Sequence, residues 1–156
     1  MIKALVTDFS RVLLHPLDPN YSGGLNSLQR ELEAQGEYDF WAHFKLNQEL
    51  LEFYKAVGQR IPVYIFTSEY IQDHPAVKPQ LESVFTAVLS AARLGLSKKD
   101  PETYQIIAEK IGVQTADVVY TDDSLVNVTA ANKGGMRAVQ FETNAQIIPV
   151  IKLLLV

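Results

Sequence analysis

The chain contains no cysteine, and its 156 residues include only three histidines, two methionines and one tryptophan. The absence of cysteine excludes disulfide bonds and thiolate zinc sites. The histidines, His15, His43 and His74, lack the spacing of metal ligands, and we interpret them as surface or loop residues. Any metal site in this chain is therefore expected to use oxygen ligands.

The chain also lacks clustered basic residues and long apolar runs. Its 14 lysines and arginines are outnumbered by 18 acidic residues, and a net charge of -4 argues against sequence-independent binding to nucleic acid. No run of about 18 apolar residues occurs, and no basic-then-apolar leader follows Met1, so we expect neither membrane spanning nor secretion. We expect a cytoplasmic protein without nucleic-acid or membrane partners, and the sequence leaves the oligomeric state open.

The length limits the number of domains. A chain of 156 residues suffices for one domain that buries about 70% of its unfolded surface, and it is too short for two comfortable domains. With 47% hydrophobic and 21% charged residues, the composition is that of an ordinary globular protein. We therefore expect a single core domain over residues 1–156.

Short apolar runs that lead to polar residues recur along the chain. The first occupies residues 4–6 and leads to Asp8, and the second occupies residues 61–66 and leads to Thr67 and Ser68. Contiguous apolar residues of this kind are typical of strands buried on both faces of a parallel sheet. Considered by itself, Asp8 has an alternative interpretation, in which it only begins a turn after the strand.

Further strands and intervening helices follow the same alternation. Strands are predicted at residues 87–89, 117–120 and 137–141, and a short hairpin arm at residues 12–14. Helices are predicted at residues 21–36, 40–57 (in one or two pieces), 80–85, 100–112, 125–133 and 145–154 (interrupted near Pro149). This order predicts an α/β fold in which helices cover both faces of a doubly wound, mostly parallel, Rossmann-like sheet. The aromatic residues Phe40, Trp41 and Phe44 are interpreted as core, although they could instead line a substrate entrance.

The polar residues after the strands are expected in one crevice, because the carboxyl ends of parallel strands meet at one edge of the sheet. They are Asp8, Thr67, Ser90, Asp122 and Asp123. Three carboxylates in one crevice repel one another unless a cation or a basic side chain compensates them. Oxygen ligands without cysteine or paired histidines suit magnesium, which completes its coordination shell with water and substrate phosphate. The sequence therefore predicts Mg²⁺ as the cofactor.

The order of these residues resembles the haloacid dehalogenase (HAD) superfamily. The resemblance rests on four segments: Asp8-Phe9-Ser10, Thr67-Ser68, residues 95–102 around Lys98, and residues 120–127 with the paired aspartates. Together the segments span nearly the whole chain, from the first strand to Gly135. Receiver domains combine similar residues, but their acidic pair stands early in the chain, whereas here it comes last.

The resemblance implies a role for each matching residue. It implies that Asp8 is a nucleophile that becomes an aspartyl phosphate and that the Thr67 hydroxyl holds phosphoryl oxygens. It also implies that Lys98 reduces the electrostatic repulsion between the Asp8 carboxylate and the phosphoryl group. Lys99 stands where the family usually has proline, which leaves open which lysine reaches the site. The implied metal ligands are Asp8, the backbone carbonyl of Ser10, Asp122 and, as the principal acidic ligand, Asp123. The implied substrate contacts are Ser10, Ser68 and Asn127.

One position departs from the pattern of the family's phosphatases, which carry a second aspartate two residues after the nucleophile. This chain has Ser10 there. A serine hydroxyl cannot act as a general acid at neutral pH, and losing such a group typically lowers the rate by about 10² to 10⁴. Three functions therefore stay open. They are a slow or specialised magnesium-dependent hydrolase of a phosphorylated small molecule, a catalytically lapsed protein that binds magnesium and a phosphate-bearing ligand or a protein partner, and a dehalogenase or phosphonatase.

The resemblance also bears on substrate choice, which a cap domain commonly sets in this superfamily. Here only a short insert at about residues 17–38 stands in place of a full cap, so we expect an open site. The residues expected at its mobile rim are Gly23, Gly24, Tyr38, Phe40 and Trp41.

Overall fold

The computed structural model describes residues 1–156 as seven strands and seven α-helices, joined by loops and short 3-10 turns. The strands are β1 (Ala4–Thr7), β2 (Leu14–Pro16), β3 (Phe44–Leu46), β4 (Val63–Thr67), β5 (Ala87–Ser90), β6 (Val118–Asp122) and β7 (Arg137–Gln140). The helices are α1 (Leu25–Ala34), α2 (Gln48–Val57), α3 (Lys78–Glu82), α4 (Ala91–Leu94), α5 (Pro101–Lys110), α6 (Leu125–Lys133) and α7 (Asn144–Leu154). None of these helices has the length and apolar character needed to cross a membrane.

Five strands form one parallel sheet in the order β5-β4-β1-β6-β7. The central strand β1 pairs with β4 on one side and with β6 on the other. The chain therefore extends the sheet first on one side of β1 and later on the other, and this reversal opens a crevice at the carboxyl ends of the central strands. The predicted doubly wound α/β fold is confirmed.

Alternate side chains of β1 belong to two separate cores. Leu5 joins a cluster of 23 buried residues on one face of the sheet, and Ala4 and Val6 join a cluster of 12 on the other. Helices α2 and α7 contribute to the first core, and α5 and α6 contribute to the second. Because helices cover both faces, the strand is apolar on both sides, which is what the contiguous apolar run predicted.

The segment predicted as a helix over residues 40–57 is divided into three elements, so the prediction is wrong for its first half. A 3-10 turn at Phe40–Ala42 precedes β3, which pairs antiparallel with β2 in a separate two-stranded ribbon. Helix α2 begins only after Asn47, whose side chain accepts a hydrogen bond from the backbone N–H of Leu50. Phe40 and Phe44 are four residues apart, as on a helix face, but their rings pack together at 4.6 Å between centroids from non-helical backbone.

The connection between β2 and β3 forms the insert, residues 17–43, and its main element is α1. Of the three aromatic residues predicted as core, Phe40 and Phe44 are buried and Trp41 is half-buried. Phe40 is only 2% exposed, and its ring stacks on that of His74 at 4.5 Å between centroids. Phe40 therefore packs in the core, and the mobile rim at Gly23, Gly24 and the aromatic residues stays a prediction. Asn26 of α1 also accepts hydrogen bonds from the backbone N–H groups of Tyr70 and Ile71 in the loop after β4.

Two smaller expectations need correction. His15 lies on β2 rather than in a loop, half-buried, with its Nε2 3.0 Å from the carbonyl oxygen of Val12. Helix α7 runs through Pro149 without interruption. Pro149 is the sixth residue of the helix, so it costs the one hydrogen bond that its N–H would otherwise donate, and its side chain is exposed.

Candidate active site

Asp8 and the aspartate pair come together because β1 and β6 are neighbours in the sheet. Thr7, the last residue of β1, pairs with Thr121, and the backbone N–H of Asp8 donates to the Thr121 carbonyl over 2.8 Å. Asp8 and Asp122 thus emerge side by side at the carboxyl edge. Carboxylate oxygens of Asp8, Asp122 and Asp123 all lie within 4.8 Å of one another.

A buried lysine lies between two of these carboxylates. Lys98 Nζ donates to Asp8 Oδ1 over 2.7 Å and to Asp122 Oδ2 over 3.0 Å. The hydroxyl of Tyr104 on α5 donates to the backbone carbonyl of Lys98 over 2.7 Å and so fixes the loop that carries the lysine. Lys99 is exposed. The structure therefore brings Lys98, and not Lys99, to the carboxylates.

Burial and charge together set the proton affinities of this group. Burial raises the pKa of Asp8 to about 7, while Lys98 opposes this rise and Asp122 adds to it. Burial disfavours the charged form of Lys98, but Asp8 and Asp122 outweigh it and raise the pKa of the ammonium group. Burial, reinforced by the charge of Asp122, also raises the pKa of Asp123. Three carboxylates with one lysine leave an excess of negative charge that a cation would offset.

The two neighbouring aspartates differ in what they contact. Asp122 is fully buried and accepts hydrogen bonds from four groups: the backbone N–H of Ser124, the Tyr120 hydroxyl, Lys98 Nζ and Asn127 Nδ2. Burial raises its pKa, but Lys98 and the other donors outweigh burial and lower the pKa below its ordinary value. Asp123 is half-buried and lines a cavity together with Asp8. Asp123 and Asp8 are therefore better placed to offer oxygens to a metal ion than Asp122.

Two buried hydroxyl groups at this edge have no partner within the protein. Thr67, the last residue of β4, is 1% exposed, and neither its Oγ1 nor the Oγ of Ser10 makes a hydrogen bond. Leaving a buried polar group unpaired costs about 1–3 kcal/mol, so these hydroxyls fit an oxygen-bearing ligand. Oxygen-only donors of this kind, next to three carboxylates, also suit Mg²⁺. Ser68 is exposed and lines the same cavity as Asp8.

Asp8 and Asp123 open onto a cavity of about 290 Å³. Residues of the core line one side: Asp8, Ser10, Arg11, Ser68, Glu69, Asp123 and Asn127. Residues of the insert line the other side: Gly24, Leu25, Asn26 and Ser27. A volume near the lower end of the range for ligand pockets, with Leu25 as the one hydrophobic residue of the lining, suits a small polar molecule. Asn127 both lines this cavity and donates to Asp122.

A buried network of hydroxyl groups beneath Asp8 was not predicted from the sequence. The hydroxyl of Tyr54 on α2 lies 3.2 Å from Thr7 Oγ1 and 3.1 Å from Thr121 Oγ1, and Thr7 Oγ1 donates to the Asp8 carbonyl over 3.0 Å. Burial raises the pKa of Tyr54 to about 12, so the hydroxyl stays protonated. A threonine directly before the aspartate in both strands was the only sequence signal for this network.

Comparison with known proteins places this chain in a family. The family model described as haloacid dehalogenase-like hydrolase matches residues 12–135. Phosphatase MT3486 of Mycobacterium tuberculosis is 38% identical over 66 residues, which are 42% of this chain and 30% of that protein. Sesquiterpene phosphatase astK of Aspergillus oryzae is 32% identical over 81 residues, which are 51% of this chain and 41% of that protein. The chain thus spans less than half the length of these curated relatives.

Solved structures share the fold. The HAD family enzyme BT-2542 of Bacteroides thetaiotaomicron, crystallised in complex with magnesium and inorganic phosphate, aligns with a TM-score of 0.68 at 14% identity. The alignment covers 92% of this chain and 96% of that chain. At this level of identity, the likeness shows the fold alone. Since the family model matches residues 12–135, which are most of the sequence, the chain belongs to the haloacid dehalogenase-like hydrolase family.

Proposed function

We propose that this protein is a magnesium-dependent hydrolase that removes the phosphoryl group of a small molecule through an aspartyl phosphate on Asp8. The observation that carries the proposal is the carboxylate group of Asp8, Asp122 and Asp123 beside the buried Lys98, at the mouth of a small polar cavity. The phosphatase names of two relatives and the phosphate bound by a structural neighbour support this choice of reaction.

The proposed reaction has two steps. A carboxylate oxygen of Asp8 attacks phosphorus, and the bond between phosphorus and the leaving oxygen breaks as the aspartyl phosphate forms. Water then attacks the same phosphorus, the bond to Asp8 breaks, and inorganic phosphate leaves with the carboxylate restored. Lys98 would offset charge on Asp8 and on the phosphoryl group, and the unpartnered hydroxyl of Thr67 would donate to a phosphoryl oxygen.

The residues at this edge would hold one magnesium ion. Asp8, Asp123 and the backbone carbonyl of Ser10 are the proposed direct ligands, and Asp122 is the proposed supporting ligand. A bound Mg²⁺ would supply positive charge where the phosphoryl oxygens gather negative charge. Ser10, Ser68 and Asn127 are the proposed substrate contacts, because all three line the cavity.

Ser10 restricts the leaving group. Because the serine hydroxyl cannot protonate a departing alkoxide at neutral pH, the favoured substrates are those whose leaving group departs without a proton. An acyl phosphate releases a carboxylate and a diphosphate releases a phosphate, so both classes meet this condition.

Ser10 also favours a second candidate function, a catalytically lapsed protein that binds magnesium and a phosphate-bearing ligand or a protein partner. In that case the site would bind magnesium and the ligand without catalysing hydrolysis. The two functions differ in whether phosphate is released under any condition, and they share the requirement for magnesium binding.

The test measures phosphate release from a panel of phosphomonoesters, acyl phosphates and diphosphates, in the presence of magnesium or of a chelator. The Asp8→Asn variant serves as the blank. Release that requires both magnesium and Asp8 supports the hydrolase. No release across the panel, from protein that binds magnesium in calorimetry, would exclude the hydrolase and favour the lapsed binding protein.

A further inference from the structure

We propose that the substrate carries a second anionic group, a carboxylate or a second phosphate, which binds Arg11 and Lys45, beside His15, in a groove next to the catalytic cavity. This inference rests on the proposed function, because it assigns the cavity at Asp8 to the reacting phosphoryl group. It narrows the substrate class from phosphorylated small molecules to those with a second negative charge at some distance from the first.

The three basic residues line one groove of about 600 Å³ beside the β2–β3 ribbon. His15 on β2 and Lys45 on β3 are directly paired across the ribbon, so their side chains leave the same face of it. The Nε2 of His15 lies 3.0 Å from the Val12 carbonyl oxygen, so Lys45 is the residue of this pair that can reach an anion in the groove. His15 lies beside Lys45, where its ring reports on a bound ligand.

Arg11 joins this groove to the catalytic cavity, because its side chain lines both. Its Nη2 donates to the carbonyls of Tyr21 and Gly23 over 3.0 and 2.6 Å, which fixes the guanidinium group against the insert. The Nη1 and Nε groups make no hydrogen bond within the protein and stay available as donors to an anion. A ligand that extends from Asp8 past Arg11 would enter the groove.

The backbone of Arg11 gives an independent reason to expect a role for this side chain. Arg11 has a φ of +62°, and it is the only residue other than glycine with a positive φ. Such a conformation costs a non-glycine residue on the order of 1 kcal/mol or more, so glycine would be the ordinary choice. The contacts of the side chain therefore explain why arginine, and not glycine, occupies this position.

The charges around the groove leave the basic groups without acidic partners. Neither Arg11 nor Lys45 belongs to the ion pairs of the protein, which involve Lys3, Arg30, Arg93 and Lys98. Of the two acidic residues that line the groove, Glu49 accepts a hydrogen bond from Asn144, and Glu142 is exposed. Burial lowers the pKa of His15, and the charges of Lys45 and Arg11 lower it further. Arg11 and Lys45 are thus two cations without an ion-pair partner, in a groove that also contains the carboxylates of Glu49 and Glu142.

The first arm of the test compares compounds that differ only in the second charge. The pairs are 3-phosphoglycerate with sn-glycerol 3-phosphate, and 6-phosphogluconate with sorbitol 6-phosphate. All four compounds release an alkoxide, so the missing general acid slows their hydrolysis alike, and the ratio within a pair reports only the second charge. One of the two pairs should have the distance between phosphate and carboxylate that matches the distance from Asp8 to the groove. For that pair, we expect kcat/KM for the acid to exceed that for the alcohol by roughly tenfold, the contribution of one charge-assisted hydrogen bond. Lys45→Gln should reduce this ratio by roughly fivefold, the contribution of an exposed ion pair. Lys110→Gln, on the remote helix α5, should not change the ratio.

The second arm measures binding without turnover. The same four compounds are added with magnesium to the Asp8→Asn variant, and the ring signals of His15 are followed by NMR. We expect the acids to shift these signals at lower concentrations than the alcohols, and Lys45→Gln to weaken that response.

The outcomes separate this inference from the proposed function. Asp8-dependent hydrolysis with equal kcat/KM for acids and alcohols would overturn the second anionic group and leave the hydrolase intact. A selective His15 response to the acids without hydrolysis would support the anion site and count against the hydrolase. If His15 does not respond to either acid and no acid is preferred in turnover, the anion site is excluded.

Discussion

Lys98 Nζ lies 2.7 Å from Asp8 Oδ1, and both side chains are almost completely buried, with exposures of 5% and 8%. The same ammonium group also contacts Asp122, so it joins the carboxyl ends of β1 and β6. One positive charge therefore offsets part of the negative charge of three carboxylates. The predictions below test how stability and binding depend on this balance.

Replacing Asp8 with Asn should raise the stability of the metal-free protein while abolishing any turnover. Burial together with Asp122 and Asp123 makes ionised Asp8 unfavourable, despite its contact with Lys98. Thermal unfolding in the presence of a chelator should show a melting temperature several degrees higher for Asp8→Asn than for the wild type. Asp18→Asn, in an exposed loop, is the control. A lower melting temperature for Asp8→Asn would mean that its ion pair with Lys98 outweighs the repulsion.

Asp123→Ala and Asp122→Ala should have different effects. Asp123 faces the cavity, so its loss should weaken magnesium binding more than the loss of Asp122 and should cost little stability. Asp122→Ala removes the acceptor of the Tyr120 hydroxyl and of the Asn127 amide and one of the two acceptors of Lys98, and it should lower the free energy of unfolding by about 3–5 kcal/mol. Magnesium calorimetry and urea unfolding measure the two quantities. If Asp122→Ala weakened magnesium binding more than Asp123→Ala did in folded protein, the assignment of the principal ligand would be reversed.

Lys98→Ala should impair phosphate binding far more than Lys99→Ala. Lys98 is buried between two carboxylates, whereas Lys99 is exposed. Lys98→Ala should also destabilise the metal-free protein by about 3–5 kcal/mol, because it leaves buried negative charge without its partner. Phosphate binding in the presence of magnesium is measured by calorimetry, with Lys99→Ala as the matched control. Equal effects of the two substitutions would contradict the placement of Lys98 at the phosphoryl group.

Ser10→Asp should increase the hydrolysis of phosphomonoesters. The new carboxyl group would stand two residues after Asp8, where it could protonate a departing alkoxide, and a general acid typically contributes about 10² to 10⁴ in rate. Phosphate release from phosphomonoesters is compared between the variant and the wild type, with Ser10→Asn as a control of similar size. An unchanged rate, with magnesium binding intact, would favour the lapsed binding protein.

The buried Tyr54 should make the protein less stable at high pH. Because burial raises its pKa to about 12, the folded protein keeps a proton that the unfolded chain, with an ordinary pKa near 10, releases. The free energy of unfolding should therefore fall as the pH rises from about 10 to about 12, by up to about 1.4 kcal/mol per pH unit for this proton. Tyr54→Phe should flatten the curve, whereas Tyr70→Phe, at an exposed position, is the control. An identical pH dependence for Tyr54→Phe and the wild type would contradict this role.

Much of the fold could be predicted because its signals are local. Residues 4–6, 63–66 and 118–120 are apolar because both faces of a parallel strand are covered, and each run leads into the polar residues found at the carboxyl edge. The spacing was misleading at Phe40 and Phe44, which fit a helix face but lie on a 3-10 turn and a strand. Spacing of four residues could not reveal that Leu14–Pro16 would pair with Phe44–Leu46 across the insert.

The sequence by itself determined the alternation of strands and helices, the position of a carboxylate or hydroxyl after each central strand, and the oxygen-only chemistry of the candidate site. Only the tertiary structure decided which lysine meets Asp8, that Tyr54 joins Thr7 and Thr121, and that Arg11 faces both the cavity and the groove. The physical reason is distance along the chain. Periodicity reports which side of an element is buried, whereas Lys98 and Asp8 are 90 residues apart and meet only when the sheet has formed.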